Sequence, residues 1–482
     1  MTSARTRPTL SEDWASVGLG LLVFVLSLGA LVGLNVLGWS ATPRVWTELA
    51  RSVSPVSRAS GVSAAVSLAA TVVFVLAIMS VGAWLLGARV RRFVVSFAVL
   101  LAVAYVCWIA GHYAYIAATA DKQEQLGISW SMNLTGEAGY ILALLVGLVI
   151  GNFFKGAAAR LSEALRPEWY IKTAVVIMGA ALGVKSAEAL DLANHVILRG
   201  ICAVIEAYLI YWAVIYYLAR RYFGFTREWA APLASGISIC GVSAAIATGA
   251  AIRARPVVPI TVSSLVVIFA VVELLLLPVL ARQFLSDEPL VAGAWMGLAV
   301  KTDGAAIASG AITESLIRSR VLAEQGTTYA EGWILMATTT TKIFIDVFIG
   351  VWAFILAVLW ATKIEPRATD RPRAAEIWQR FPKFVIGYLV TFLVMLAIVR
   401  AAPDLIPAAR EATSQSNVFR QLFFVLTFLS IGMVTDFRRL AQEGMGRLAA
   451  VYALSLFGFI IWVGLAISWL FFGGIRPPMA EG

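Results

Sequence analysis

Apolar residues along this chain gather into long runs separated by short polar stretches. Measured against the roughly 20 apolar residues that cross a hydrocarbon core, the runs predict about thirteen spans. They fall at 14–37, 61–87, 93–117, 134–154, 170–184, 196–218, 229–252, 257–280, 290–312, 334–359, 381–399, 419–434 and 448–472. The fold class predicted is an all-α integral membrane protein, with no soluble domain between the spans. Residues 1–13 form an N-terminal segment, 14–133 hold three N-terminal spans, and 473–482 are a C-terminal tail. Lys and Arg concentrate in alternate loops, and cytoplasmic loops carry that excess, so the N-terminus is predicted cytoplasmic. The longest such loop, 362–380, is rich in Pro and Arg and reads as a solvated cytoplasmic linker.

Composition supports the bilayer reading. The 482 residues are 60% hydrophobic and 14% charged, with mean hydropathy +0.85, far from soluble usage. The net charge of +10 sits in short clusters between spans, where it reads as a topology signal and not as a nucleic-acid face. Cys107, Cys202 and Cys240 lie in apolar runs without CxxC or Cys/His spacing, so neither a disulfide framework nor a metal site is expected. The chain offers two histidines and no HExxH or nucleophile–base spacing, which argues against an enzyme, and without a P-loop an ATP-driven pump would need another subunit.

One run departs from the apolar pattern. In ASGISICGVSAAIATGA, residues 234–250, Ser235, Gly236, Ser238, Gly241, Ser243 and Gly249 crowd helix-weakening residues together at membrane depth. Irregular backbone survives there only where protein buries it or a polar cavity receives it, so a broken helix is predicted. Small residues also serve close helix packing, the plainer reading. Transporter folds often pair broken helices in inverted repeats, and FLSIGMVTDF, 428–437, offers Ser430, Gly432, Thr435 and Asp436 as the partner. Setting aside the three N-terminal spans leaves ten, divided into repeats at 134–284 and 285–472, with one candidate in the fourth span of each.

GISICGVSAAIA resembles the G-(T/S)-S-I-C-G-x-S-A hallmark of the YeiH-type sulfate exporter family of bacterial membrane proteins. VGLVIGN (146–152), FPKFVIGYL (381–389) and IGMVTDF (431–437) are similar to further family motifs in the same order. The resemblance covers about 134 to the C-terminus and implies a ten-helix core of two inverted five-helix repeats, two broken helices crossing at the midplane, and elevator-type movement in a bacterial inner membrane. The sequence departs from the family at GLAVKTDGA, where Lys301, Thr302 and Asp303 stand for the family's His-Glu pair. It departs again at TTTTKIFIDVF, where Lys342 is kept and Asp346 is added.

Ionisable residues within spans are costly and are functional candidates by default. Lys342 and Asp346 share a helix face at i, i+4, so Asp346 is expected to be the structural partner of Lys342 and Asp303 the ion-coupling residue. Glu206 and Glu273 read as helix-packing hydrogen bonders. Half-helix N-termini attract anions, which makes Ser235, Ser238, Cys240, Gly241, Ser243, Lys301, Thr302, Ser430, Gly432 and Thr435 the expected substrate-binding set. The expectation is an ion-coupled secondary transporter of a small anion, either a sulfate-like oxyanion or a small organic acid or sulfonate. Sodium/proton exchange and an anion channel are the alternatives. The coupling ion is sodium or a proton, and no cofactor is expected. The expected partners are the anion, the bilayer and a second copy of the chain in a homodimer, with no nucleic acid.

Overall fold

The structure is a computed structural model that describes residues 10–118, 123, 126–132, 138–188, 190–255, 257–364, 378, 382–438 and 445–481. Most of the 362–380 linker lies outside them. Ten helices among the described residues are long and apolar enough to cross a membrane, or eleven if the pair Ala138–Phe153 and Lys155–Ala164, bent by 111°, is one span. This is an all-α membrane protein.

The principal helices begin with α1 (Glu12–Ser27), α2 (Ala64–Leu85), α3 (Val90–Gly111), α4 (Ala138–Phe153), α5 (Pro167–Glu188) and α6 (Trp212–Arg221). There follow α7 (Arg227–Ser238), α8 (Val242–Ala251), α9 (Val257–Phe284), α10 (Pro289–Ala299), α11 (Asp303–Gln325) and α12 (Trp333–Val347). The last are α13 (Ile349–Leu359), α14 (Phe384–Ala401), α15 (Ile406–Val434), α16 (Met445–Ser455) and α17 (Ile461–Phe472). The chain forms two compact units, Met1–Leu190 with Lys383–Val434, and Asp191–Pro382 with Thr435–Gly482. Each unit draws on both of the halves, 134–284 and 285–472, that the sequence suggests as repeats.

The first unit holds α1 to α5, α14 and α15. Lipid gives apolar helices little reason to associate, so small residues that admit close backbone approach do the work. A Cβ at Gly183 of α5 would fall on the Phe392 carbonyl oxygen of α14, and the Thr391 hydroxyl donates to the Val176 carbonyl at 2.7 Å. In the same way Gly147 of α4 lies against the Leu429 carbonyl of α15, and Gly432 lies against the Leu144 carbonyl. These contacts correct the expectation for FLSIGMVTDF. Helix α15 runs unbroken to Val434 through Ser430 and Gly432, because its glycine meets a facing glycine helix and has no kink to make.

The first of the three N-terminal helices is fastened into this unit. Asp13 accepts from the Lys172 ammonium and from the Lys383 backbone N–H, both at 2.9 Å, and Glu12 pairs with Arg166 at 2.7 Å. Phe24 of α1 joins Ala180 and Val184 of α5 and Met395 and Val399 of α14 in one buried cluster.

The second unit holds α6 to α13, α16 and α17, together with a π-helical turn, Ile205–Tyr211. Two of the breaks between its described helices, at 239–241 between α7 and α8 and at 300–302 between α10 and α11, bear on the site.

Candidate functional site

The Ser/Gly stretch is broken as its composition predicts. α7 ends at Ser238, Ile239 takes φ −102°, ψ −100°, and α8 starts after Gly241 at φ 70°, ψ −108°. An L side chain rarely adopts that positive φ, so glycine is what the backbone requires here. The partner interruption lies at Val300–Thr302 and not at 428–437. α10 ends at Ala299, Val300 is extended at φ −82°, ψ 125°, and Thr302 at φ −98°, ψ 146° caps α11 by accepting from the Ala305 N–H at 3.2 Å. The two interruptions touch. A Cβ on Gly241 would stand 3.0 Å from the Lys301 carbonyl oxygen and 3.2 Å from the Thr302 methyl.

Lys342 of α12 reaches into this crossing. Fully buried, its ammonium donates to the carbonyls of Ile239 at 3.1 Å, Val300 at 3.3 Å and Lys301 at 3.4 Å. Those carbonyls lie at the C-terminal ends of α7 and α10, where the helix dipoles leave partial negative charge. Its ion pair is with Asp303 on α11, at 3.8 Å, the residue expected to carry the coupling ion. Asp303 stands in the first turn of α11, where a carboxylate is favoured by the dipole. Asp346, buried one turn beyond Lys342, is brought close to Asp303 and Cys240.

Lys301, also fully buried, turns the other way. Its ammonium donates to the Leu298 carbonyl and lies 4.5 Å from the centre of the Tyr211 ring, a cation–π contact. Glu273 of α9 closes the interruption from outside. One oxygen accepts from the Lys301 backbone N–H at 2.9 Å and the other from the Tyr452 hydroxyl of α16 at 3.1 Å. Glu273 is thus the helix-packing hydrogen bonder that its position suggests. Glu206, on the π-helical turn, is buried beside Tyr211 and within Coulombic reach of Lys301.

The hydroxyls near the first interruption are engaged within the protein. Ser238 donates to the Ala234 carbonyl at 2.6 Å, while Ser235 accepts from the Trp212 indole at 2.8 Å and from Thr248 at 2.7 Å, tying α6, α7 and α8 together. The Ser243 side chain lies outside the described set. The N-cap of α8 is Gly241, which has no side chain to offer, and the Cys240 thiol meets the Ala244 backbone N–H; the first N–H groups of a helix have no intrahelical acceptors. The threonine run is structural too: Thr339 and Thr341 bond back to Leu335 and Ala337, and Thr338 bonds across to Gly293 of α10 at 2.7 Å. Thr435 is buried just past α15, and Ser430 and Gly432 belong to the first unit.

Against the expectation of no metal site, one donor cluster forms among the described residues. A ligand atom from each of Cys240, Asp303 and Asp346 lies within 4.8 Å of the other two. The Lys342 ammonium beside Asp303 already supplies positive charge there, and like charges repel strongly in a site this dry. The cluster therefore belongs to the lysine and is poorly suited to a divalent ion. Sequence reasoning missed the 300–302 interruption because only one polar triplet, without a glycine at the break, marks it; three consecutive polar residues between apolar runs were the available signal. Tyr211 and Tyr452 carried none.

The family model "Conserved hypothetical protein 698" matches residues 126–451. A UPF0324 membrane protein of Nitrosomonas europaea, NE0724, is 43% identical over 97% of both chains. A protein of Archaeoglobus fulgidus is 50% identical over 30% of this chain and 89% of its own. A UPF0324 membrane protein of Nitratidesulfovibrio vulgaris is 28% identical over 83% of this chain and 63% of its own. No solved structure matches. With two thirds of its length under one family model and a near full-length relative, the chain belongs to the UPF0324 family of membrane proteins, the YeiH-type group that its motifs resemble.

Proposed function

We propose that the protein is a secondary active transporter of a small anion, a sulfate-like oxyanion or a small organic acid or sulfonate. It works by alternating access in a bacterial inner membrane, with its N-terminus in the cytoplasm. The observation that carries this reading is the meeting of two interrupted helices around buried charge, Gly241 against Lys301 and Thr302, the arrangement from which transporters build midplane sites. The N-terminus of α8, which begins at a glycine, offers first-turn backbone N–H groups and a positive dipole end to an anion. Four buried carboxylates, Asp303, Asp346, Glu206 and Glu273, stand against two buried lysines, Lys301 and Lys342. An added anion therefore needs compensating positive charge, which is a physical reason for ion coupling.

A second reading, cation or proton exchange without an anionic substrate, is favoured by the same excess of carboxylates and by the proximity of Asp303 to Asp346. Thermal unfolding of the purified protein against a panel of anions and cations separates the two. The anion reading expects a saturable rise in Tm with one class of anion and none with chloride alone. A rise with cations only would replace it with the second reading.

A further inference from the structure

Lys342 holds a place of a particular kind. Its ammonium is surrounded by the backbone carbonyls of Ile239, Val300 and Lys301 at 3.1, 3.3 and 3.4 Å and by the Asp303 carboxylate at 3.8 Å. Asp346 and Cys240 lie next to that carboxylate. Two of the carbonyls, those of Ile239 and Val300, are the first beyond the last turns of α7 and α10. In transporters, unwound carbonyls and half-helix C-termini of this sort are what hold a coupling sodium ion. An ammonium has three protons and no acceptor. Three carbonyl oxygens use all three protons, and the carboxylate balances the charge. The set of oxygen donors that would suit a small monovalent cation is consumed by a cation tethered to α12.

We propose that the Lys342 ammonium is a built-in substitute for a coupling cation, and that the ion coupled to transport is consequently a proton and not sodium. The proposal rests on the transporter reading and narrows it. A tethered cation cannot leave with the substrate. It can only stay with its carbonyls or be released by them when the interruptions separate, and Asp303 travels with the α11 end of that movement. The charge that accompanies the anion then has to come from protons on the remaining carboxylates. Asp346 stands next to the pair, and Glu206 and Glu273 face the Lys301 side of the crossing.

Melting of the purified full-length protein in detergent tests this without any flux measurement, so its outcome is independent of whether the transporter reading holds. Wild-type protein and Lys342→Ala are compared in sodium, lithium and methylammonium chloride, with choline chloride at equal ionic strength as reference. Wild-type protein is expected to melt at the same temperature in all four. Lys342→Ala, in which the carbonyls and Asp303 surround a space the size of the lost ammonium, is expected to melt lower in choline and to recover part of the loss, saturably, with sodium, lithium or methylammonium. A sodium-specific rise in the wild-type protein overturns the proposal. So does a folded Lys342→Ala that is indifferent to every small cation. If Lys342→Ala does not fold, the wild-type arm decides alone: indifference to sodium supports the proposal and a sodium-specific shift overturns it.

Discussion

Asp303 and Asp346 differ in what their removal should leave behind. Asp303 is the ion-pair partner of a fully buried ammonium, so Asp303→Asn leaves Lys342 with carbonyl dipoles and no opposing charge. Breaking a buried pair from one side costs roughly 3–5 kcal/mol. A marked drop in Tm is therefore expected for Asp303→Asn, with less folded protein recovered. Asp346→Asn keeps the Lys342–Asp303 pair and should melt much closer to wild type, yet lose accumulation driven by a pH gradient while retaining downhill exchange of substrate. The i, i+4 spacing of Lys342 and Asp346 suggests the opposite division of roles. The structure pairs the Lys342 ammonium with Asp303 at 3.8 Å instead, because the lysine's long stem carries it across to the start of α11. Unfolding scans together with gradient-driven uptake read both outcomes. Equal stability and equal coupling in the two variants would remove the distinction.

At the level of elements, the site depends on two interruptions being where they are. Gly241 is held there twice over, by its positive φ and by a neighbour: an added Cβ would stand 2.6 Å from the Val266 Cγ1 methyl. Gly241→Ala should cost about 1–3 kcal/mol from the backbone conformation alone. Gly241→Leu should also abolish anion-dependent stabilisation, because the backbone at the α8 N-terminus is displaced; an unchanged anion response in Gly241→Leu would favour a packing role only. The ends of the α7–α8 pair are joined on the exposed surface by Glu228 and Arg255, bonded at 3.0 and 3.1 Å. The Arg255 side-chain and backbone donors hold the Glu228 carboxyl below its ordinary range. A carboxyl lowered by folding contributes stability above its unfolded pKa, about 4.3 for glutamate, and loses it as pH falls through the folded value. Glu228→Gln should therefore melt slightly lower than wild type at neutral pH, and the two Tm–pH profiles should converge as pH falls below that point.

For the molecule as a whole, the spans were legible because a bilayer imposes a length and a composition on whatever crosses it. The break at Gly241 was legible because three glycines and three serines in one span have few other uses. The same signal misled at Ser430 and Gly432, since a glycine that breaks a helix and a glycine that admits a neighbouring helix look alike until Gly147 is seen opposite. The break at Val300–Thr302 was hidden by its lack of glycine, although its residues were singled out for their charge. Nor does a sequence show that Asp13 at the start of α1 reaches Lys172 and Lys383, since these contacts span 159 and 370 residues of chain.

The central claim is gradient-driven movement of a small anion, and its most direct test is uptake of radiolabelled sulfate, and of a small sulfonate in parallel, by proteoliposomes of the purified protein under an imposed pH gradient. The account predicts accumulation of at least one of these anions above its outside concentration, collapse of that accumulation when an ionophore dissipates the pH gradient, and no requirement for sodium. Uptake that only equilibrates the anion across the membrane, or that continues undiminished after the gradient is gone, would contradict it.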